Sequence, residues 1–138
     1  MIIGRDKEQR ELHEAYESEY SEFAVVYGRR RVGKTFLVRE TFNYTFTFEH
    51  SGVAKGNMRV QLRTFRDSLA DAGMGKVKIP EDWMEAFSLL RQLIRQVKRG
   101  RKWCLLTRFL GWTRHAPILY QPLSISGTTS LRLVRMCC

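Results

Sequence analysis

No aspartate or glutamate occurs from Ala86 to Cys138, although 14 acidic residues stand before that point. That stretch offers no carboxylate for a hard metal ion or for acid–base chemistry. Cysteine is scarce as well. Cys104, Cys137 and Cys138 are three thiols, two of them adjacent, and make neither a disulfide framework nor a spaced metal set. No run approaches the ~20 apolar residues of a membrane span. The amino terminus, MIIGRDKEQRELHE, turns charged at once and so does not read as a secretory signal. A cytoplasmic chain without a membrane partner is expected. There is no internal repeat and no low-complexity segment to suggest a repeat array or a linker.

The net charge of +10 resembles a nucleic-acid signature until its distribution is read. Residues 1–85 hold 14 basic and 14 acidic side chains, whereas residues 86–138 hold 10 basic ones and no acid. A folded basic face usually keeps some acids among its lysines and arginines. Complete loss of one charge sign partway along the chain calls for another explanation.

The first part carries clear periodicities. GRDKEQRELHEAYESEY (residues 4–20) predicts a helix with Leu12, Ala15, Tyr16 and Tyr20 on one stripe and Asp6 as its cap. EFAVVYG, ending in Gly28, reads as a buried strand, and KTFLVRETF as the helix after it. YTFTFEH (residues 44–50) alternates aromatics and predicts a second strand. Asn57 to Gly73 predicts a helix with Val60, Leu62, Phe65 and Leu69 near one face. EDWMEAFSLLRQLIRQVKR predicts another, with Trp83, Phe87, Leu90, Leu93, Ile94 and Val97 inward. Strand, loop, helix, strand, helices is the opening of an α/β fold with a parallel sheet and flanking helices.

Between the first strand and its helix stands Gly28-Arg29-Arg30-Arg31-Val32-Gly33-Lys34-Thr35, which fits G-x-x-x-x-G-K-[ST]. The glycines let the backbone turn tightly and bring its N–H groups to phosphates. The helix start adds its positive dipole end. Lys34 would reach the β- and γ-phosphates, and the Thr35 hydroxyl would hold Mg²⁺. A glycine-rich basic turn with no ligand is the alternative. Arg29, Arg30 and Arg31 can touch phosphates, but a solvated or subdomain-facing role serves equally well.

GRDKEQREL some twenty residues before VVYGRRRVGKTFLVRE resembles a prokaryotic, archaeal-type P-loop ATPase family related to the AAA and STAND ATPases. The likeness continues through FTFEHSGVAKGNMRVQLRTFRDSLADAG and PEDWMEAFSLLRQLIRQVKRGRK, so it covers about residues 2–102. It implies an ATP-binding α/β domain followed by a helical lid and a further domain. ATP and Mg²⁺ are the implied cofactors, and the protein partner is left open. Gly4 and Arg5 are implied to lie near the adenine, with a capping or packing role as the alternative.

The family's next strand should end in an acidic pair soon after Lys102. Here the chain has WCLLTRFLGWTRHAP, with no acid. Mg²⁺ needs carboxylates and water, so hydrolysis is not expected of this chain. A shifted reading frame near Lys102 explains the change. Trp103 is TGG, so its overlap with Cys104 is forced to GTG, valine. Trp112 before Thr113 is forced to GAC, aspartate. Permitted codons then allow VVFIDEVPWLDTPRSNF across residues 102–119, an apolar run ending in Asp-Glu. SISGTTS further on permits HFWNN, again similar to the family.

The expected organisation is therefore a partial P-loop NTPase domain over residues 1–102, incomplete at its carboxyl end, and a frameshifted, non-native tail over 103–138. ATP binding without catalytic residues is the expected activity. Two other readings compete with it. One is a basic tail binding nucleic acid or an anionic surface, which Pro117, Pro122 and the lack of a clean period disfavour. The other is an inactive pseudogene product. His13, His50 and His115 are isolated in sequence and receive no role.

Overall fold

A computed structural model describes residues 4–18, 21–28, 31–98, 100, 102–108, 118–121 and 129–136. The elements are α1 (Asp6–Glu17), β1 (Ser21–Gly28), α2 (Lys34–Thr41), β2 (Phe48–Ser51), α3 (Met58–Leu69), α4 (Trp83–Gln96), β3 (Cys104–Thr107), β4 (Ile118–Gln121) and β5 (Thr129–Met136). They form an α/β chain with one five-stranded sheet in the order β2-β3-β4-β1-β5. β1 runs parallel to β5, and β2 parallel to β3. β4 is antiparallel to both of its neighbours, β1 and β3. The sheet is therefore mixed rather than wholly parallel. Only residues 108–117 connect β3 to β4. A parallel return needs a crossover of a dozen or more residues, so this strand comes back in the opposite direction.

Two apolar clusters form around β3. Trp103 and Leu105 pack with Leu12 and Ala15 of α1, Ala24 and Val26 of β1, and Leu37, Val38 and Phe42 at α2. Cys104 and Leu106 pack with Phe48 of β2, Leu62, Phe65 and Leu69 of α3, and Ala86, Leu90, Leu93 and Ile94 of α4. Alternate side chains of a strand point to opposite faces, so helices cover both sides of β3. That explains why its residues are all apolar up to Thr107, and all are buried.

The helices begin and end on local chemistry. Asn57 Oδ1 accepts from the Val60 amide, and Asp82 Oδ1 accepts from the Glu85 amide, so α3 and α4 each start on a side-chain cap. The Glu85 carboxylate in turn accepts from the Glu81 amide. α3 runs on into a π-type turn, Ala70–Met74, which Gly73 stops at φ 101°. Asp6 is not the cap of α1. It is the first helical residue, and the cap position belongs to Arg5, left-handed at φ 66° and making no side-chain capping bond.

Two further expectations are corrected. The strand predicted from Tyr44 begins only at Phe48. Asn43 and Tyr44 take positive φ, and the Tyr44 and Thr45 amides donate to the carbonyls of Arg39 and Phe42. The end of α2 thus claims the backbone groups that a strand would have used. Phe87, expected inward, is 39% exposed, and Ala86 takes the interior place. The Phe87 ring still meets Phe65 and Trp83 edge to face or tilted, with centroids about 6 Å apart. Tyr20 lies outside the described residues. No helix among the described residues is long and apolar enough to cross a membrane.

Candidate functional site

The glycine-rich loop joins the carboxyl end of β1 to the amino end of α2. Ligands of open α/β sheets sit at the carboxyl ends of their strands, so this placement is chemically apt. Gly28 closes β1 and pairs with Met136 of β5. Arg29 and Arg30 lie outside the described residues. Arg31 is exposed and left-handed at φ 62°, and Val32 packs partly against the α1–α2 cluster. Gly33 caps α2 at φ 78°, where a side chain would be strained. Its carbonyl accepts from the Leu37 amide at 2.9 Å.

The cap residue of α2 is a glycine with no side chain to offer, whereas Asn57 and Asp82 cap α3 and α4. Lys34, the first helical residue, is buried at 8% exposure, while Thr35 is half-buried. A buried lysine at the amino end of a helix is a donor set suited to phosphate oxygens.

Arg5 reaches this loop from α1. A β-carbon placed on Gly33 would lie 3.9 Å from Arg5 Nη1. The Gly4-Arg5 turn is held by Gln9, whose amide donates to the Arg5 carbonyl and whose Nε2 donates to the Gly4 carbonyl, both at 3.0 Å. Sequence pattern alone gave no sign that Arg5 and Gly33 meet, because the two lie on separate elements.

The carboxyl ends of β2 and β3 carry no acid. Thr107 is buried and its hydroxyl donates to the His50 carbonyl at 3.5 Å. Arg108 follows at φ 52°. Gly52 closes the pair, its amide donating to the Thr107 carbonyl at 2.8 Å. Glu49 points to the other side of β2, where Arg39 of α2 binds it. Among the described residues no group of three or more His, Cys, Asp or Glu could hold a metal ion. The residues present fit a phosphate group. They do not fit a protein-held Mg²⁺, for which Thr35 is a single half-buried hydroxyl.

His50 is buried on β2 between two aromatic rings, with Nδ1 2.9 Å from Ser68 Oγ. Ser68 donates its own proton to the Thr64 carbonyl, so Nδ1 carries the proton and donates to Ser68. Burial pushes the imidazole down to about 4. Burial likewise pushes the Cys104 thiol up to about 12, so it is an inert core thiol.

No protein-family model matches this chain, and no solved structure does. The chain is similar to the uncharacterized protein MJECL04 of Methanocaldococcus jannaschii, with 30% identity over 94 residues. That match covers 68% of this chain and 20% of the archaeal protein, so the chain spans about a fifth of the relative's length.

Proposed function

We propose that this chain binds the polyphosphate of ATP through a P-loop and does not hydrolyse it. The observation that carries the reading is the G-x-x-x-x-G-K-T loop between β1 and α2, with Gly33 left-handed at the helix cap and Lys34 buried as the first helical residue. The fold reading that goes with it is the amino-terminal part of a P-loop NTPase domain. The loop's place between the carboxyl end of β1 and the amino end of α2 supports that reading, whereas the antiparallel β4 beside β1 does not.

The chemistry at the end of β3 argues against turnover. A carboxylate there would complete the Mg²⁺ shell and position water. This chain has Thr107 and Arg108 instead. The frame reading accounts for the exchange: the shifted codons place Asp and Glu where Thr107 and Arg108 now stand. Resequencing the gene around and beyond the Lys102 codon tests it, and nucleotides whose shifted frame does not read Ile-Asp-Glu there would refute it.

Equilibrium titration with a fluorescent ATP analogue tests the binding. Lys34→Ala is expected to weaken it by at least tenfold, the order of one charge-assisted hydrogen bond. Equal binding by both chains would remove the loop from the site.

A further inference from the structure

We infer that the open edge of β5 is a docking surface for a second copy of this chain, which adds its own β5 antiparallel and so joins two sheets into one. The inference concerns a backbone edge and does not depend on phosphate binding.

The order β2-β3-β4-β1-β5 gives the sheet two edges, β2 and β5, and they differ. β2 is four residues long, and its Glu49 carries a charge bound by Arg39 of α2. A short edge strand with a fixed charge is a poor template for another strand. β5 is eight residues long, about 26 Å of backbone. Its sequence, TSLRLVRM, holds no proline, lysine or acid. Among the described residues β1 is its one strand neighbour, paired in parallel at all eight positions. In a parallel ladder, successive residues turn their N–H and C=O groups to opposite sides. Half of the backbone polar groups of β5 therefore bond to β1. The other half point away from it, along an uninterrupted edge.

Such an edge suits a partner that offers the same groups, extended over the same length, and a second β5 offers them. Two identical edges meet about a two-fold axis, each completing the other, which is the commonest way for identical chains to pair. Facing positions share one side of the sheet, so an axis perpendicular to it sets residues of one parity opposite each other. With the axis at Leu133, position 132 stands opposite 134 and position 135 opposite 131. Arg132 and Arg135 then never oppose an arginine position of the second copy. The repulsion that remains is that of the whole chains, each carrying +10, and salt screens it. The guarded edge at β2 stops further growth, so the product is a closed dimer rather than a fibre.

Sedimentation velocity of the full chain, treated with nuclease, tests this across a dilution series and a range of salt. The expected result is a dimer that dissociates on dilution and tightens as salt rises. A monomer throughout would overturn the proposal. So would open-ended assembly, or oligomers that salt disperses, as it disperses a nucleic-acid bridge. Hydrogen exchange locates the interface: alternate amides of residues 129–136 should lose protection on dilution. A loss confined to other residues would refute β5 as the surface. Leu133→Pro and Val134→Pro complete the test, since one removes an amide facing β1 and the other an amide facing the edge. The edge-facing variant is the one that keeps its cooperative circular dichroism melt, and it should dimerise about tenfold more weakly or worse. If it folds and dimerises normally, the proposal fails. Should neither variant fold, the exchange pattern of the unaltered chain decides.

Discussion

His50 shows how one residue can tie stability to pH. The imidazole is 1% exposed, lies in near-parallel contact with Phe48 at 6.3 Å between centroids, and meets Phe65 edge-on at 5.0 Å. Only the neutral ring suits that environment, so its pKa falls from 6.5 to about 4. The sign of the linkage follows. Above pH 6.5 both folded and unfolded chains carry neutral His50, and pH has no effect through it. Between pH 6.5 and 4 the unfolded chain takes up a proton that the folded chain refuses, so stability falls as pH falls. The loss between pH 7 and pH 5 should be about 2 kcal/mol. Urea melts at both pH values measure it, and His50→Gln should remove most of the difference. A pH-independent midpoint in the unaltered chain would mean that the ring is not buried neutral. Nothing in the sequence pattern assigns His50 a role, because an isolated histidine has no periodic signature. Its burial depends on the aromatic ring of α3, which no local pattern foretells.

The elements were most legible where a long apolar period met a capping residue. α3 and α4 follow that rule, with Asn57 and Asp82 at their starts and Leu62, Phe65, Leu69, Leu90, Leu93 and Ile94 inward. The short strand β2 was less legible. Alternation of Tyr44, Phe46 and Phe48 suggested one strand, yet Tyr44 ends 57% exposed, its hydroxyl bound to Glu40. A two-residue period was outweighed by turn chemistry at the end of α2. The end of β2 also depends on a contact that sequence could not reveal. A β-carbon on Gly52 would stand 2.3 Å from the Arg108 carbonyl oxygen and 3.0 Å from its carbon, both backbone atoms that cannot swing away. Gly52→Ala should therefore force β2 and β3 apart at this end and cost about 1–3 kcal/mol, the range for overpacked sites. Thermal melting checks it, and an unchanged midpoint would show that the β2–β3 junction is looser than described.

At the scale of the whole molecule, β3 and the Trp103 before it bind both halves of the core, and this segment starts right after Lys102. Trp103 and Leu105 complete the cluster of α1, β1 and α2, while Cys104 and Leu106 complete that of α3 and α4. Cutting the chain after Lys102 would remove buried side chains from both clusters, as well as β4 and β5 from the two flanks of β1. Each lost large apolar group costs about 2–5 kcal/mol, against a typical total stability of 5–15 kcal/mol. The truncated chain should lose its cooperative melt. A cooperative transition retained by residues 1–102 would show that β3 is dispensable to the fold.

That same strand sets the limit on chemistry. The present frame gives Trp-Cys-Leu-Leu before Thr107, and the shifted frame gives Val-Val-Phe-Ile before Asp-Glu. Both runs are apolar enough to be buried between helices, so the position of β3 is compatible with either frame. The frames part at its carboxyl end, where one supplies carboxylates and the other a buried hydroxyl and an arginine. On the proposed reading, phosphate binding rests on the β1–α2 loop and survives the exchange. On the same reading, water activation rests on the end of β3 and does not. The full chain, saturated with ATP and Mg²⁺, should release no phosphate above the rate of Lys34→Ala, while still binding the nucleotide more tightly than that variant does. Phosphate release that Lys34→Ala abolishes would mean that a carboxylate elsewhere in residues 1–85 serves the metal. The acidic end of β3 would then not be what this chain is missing.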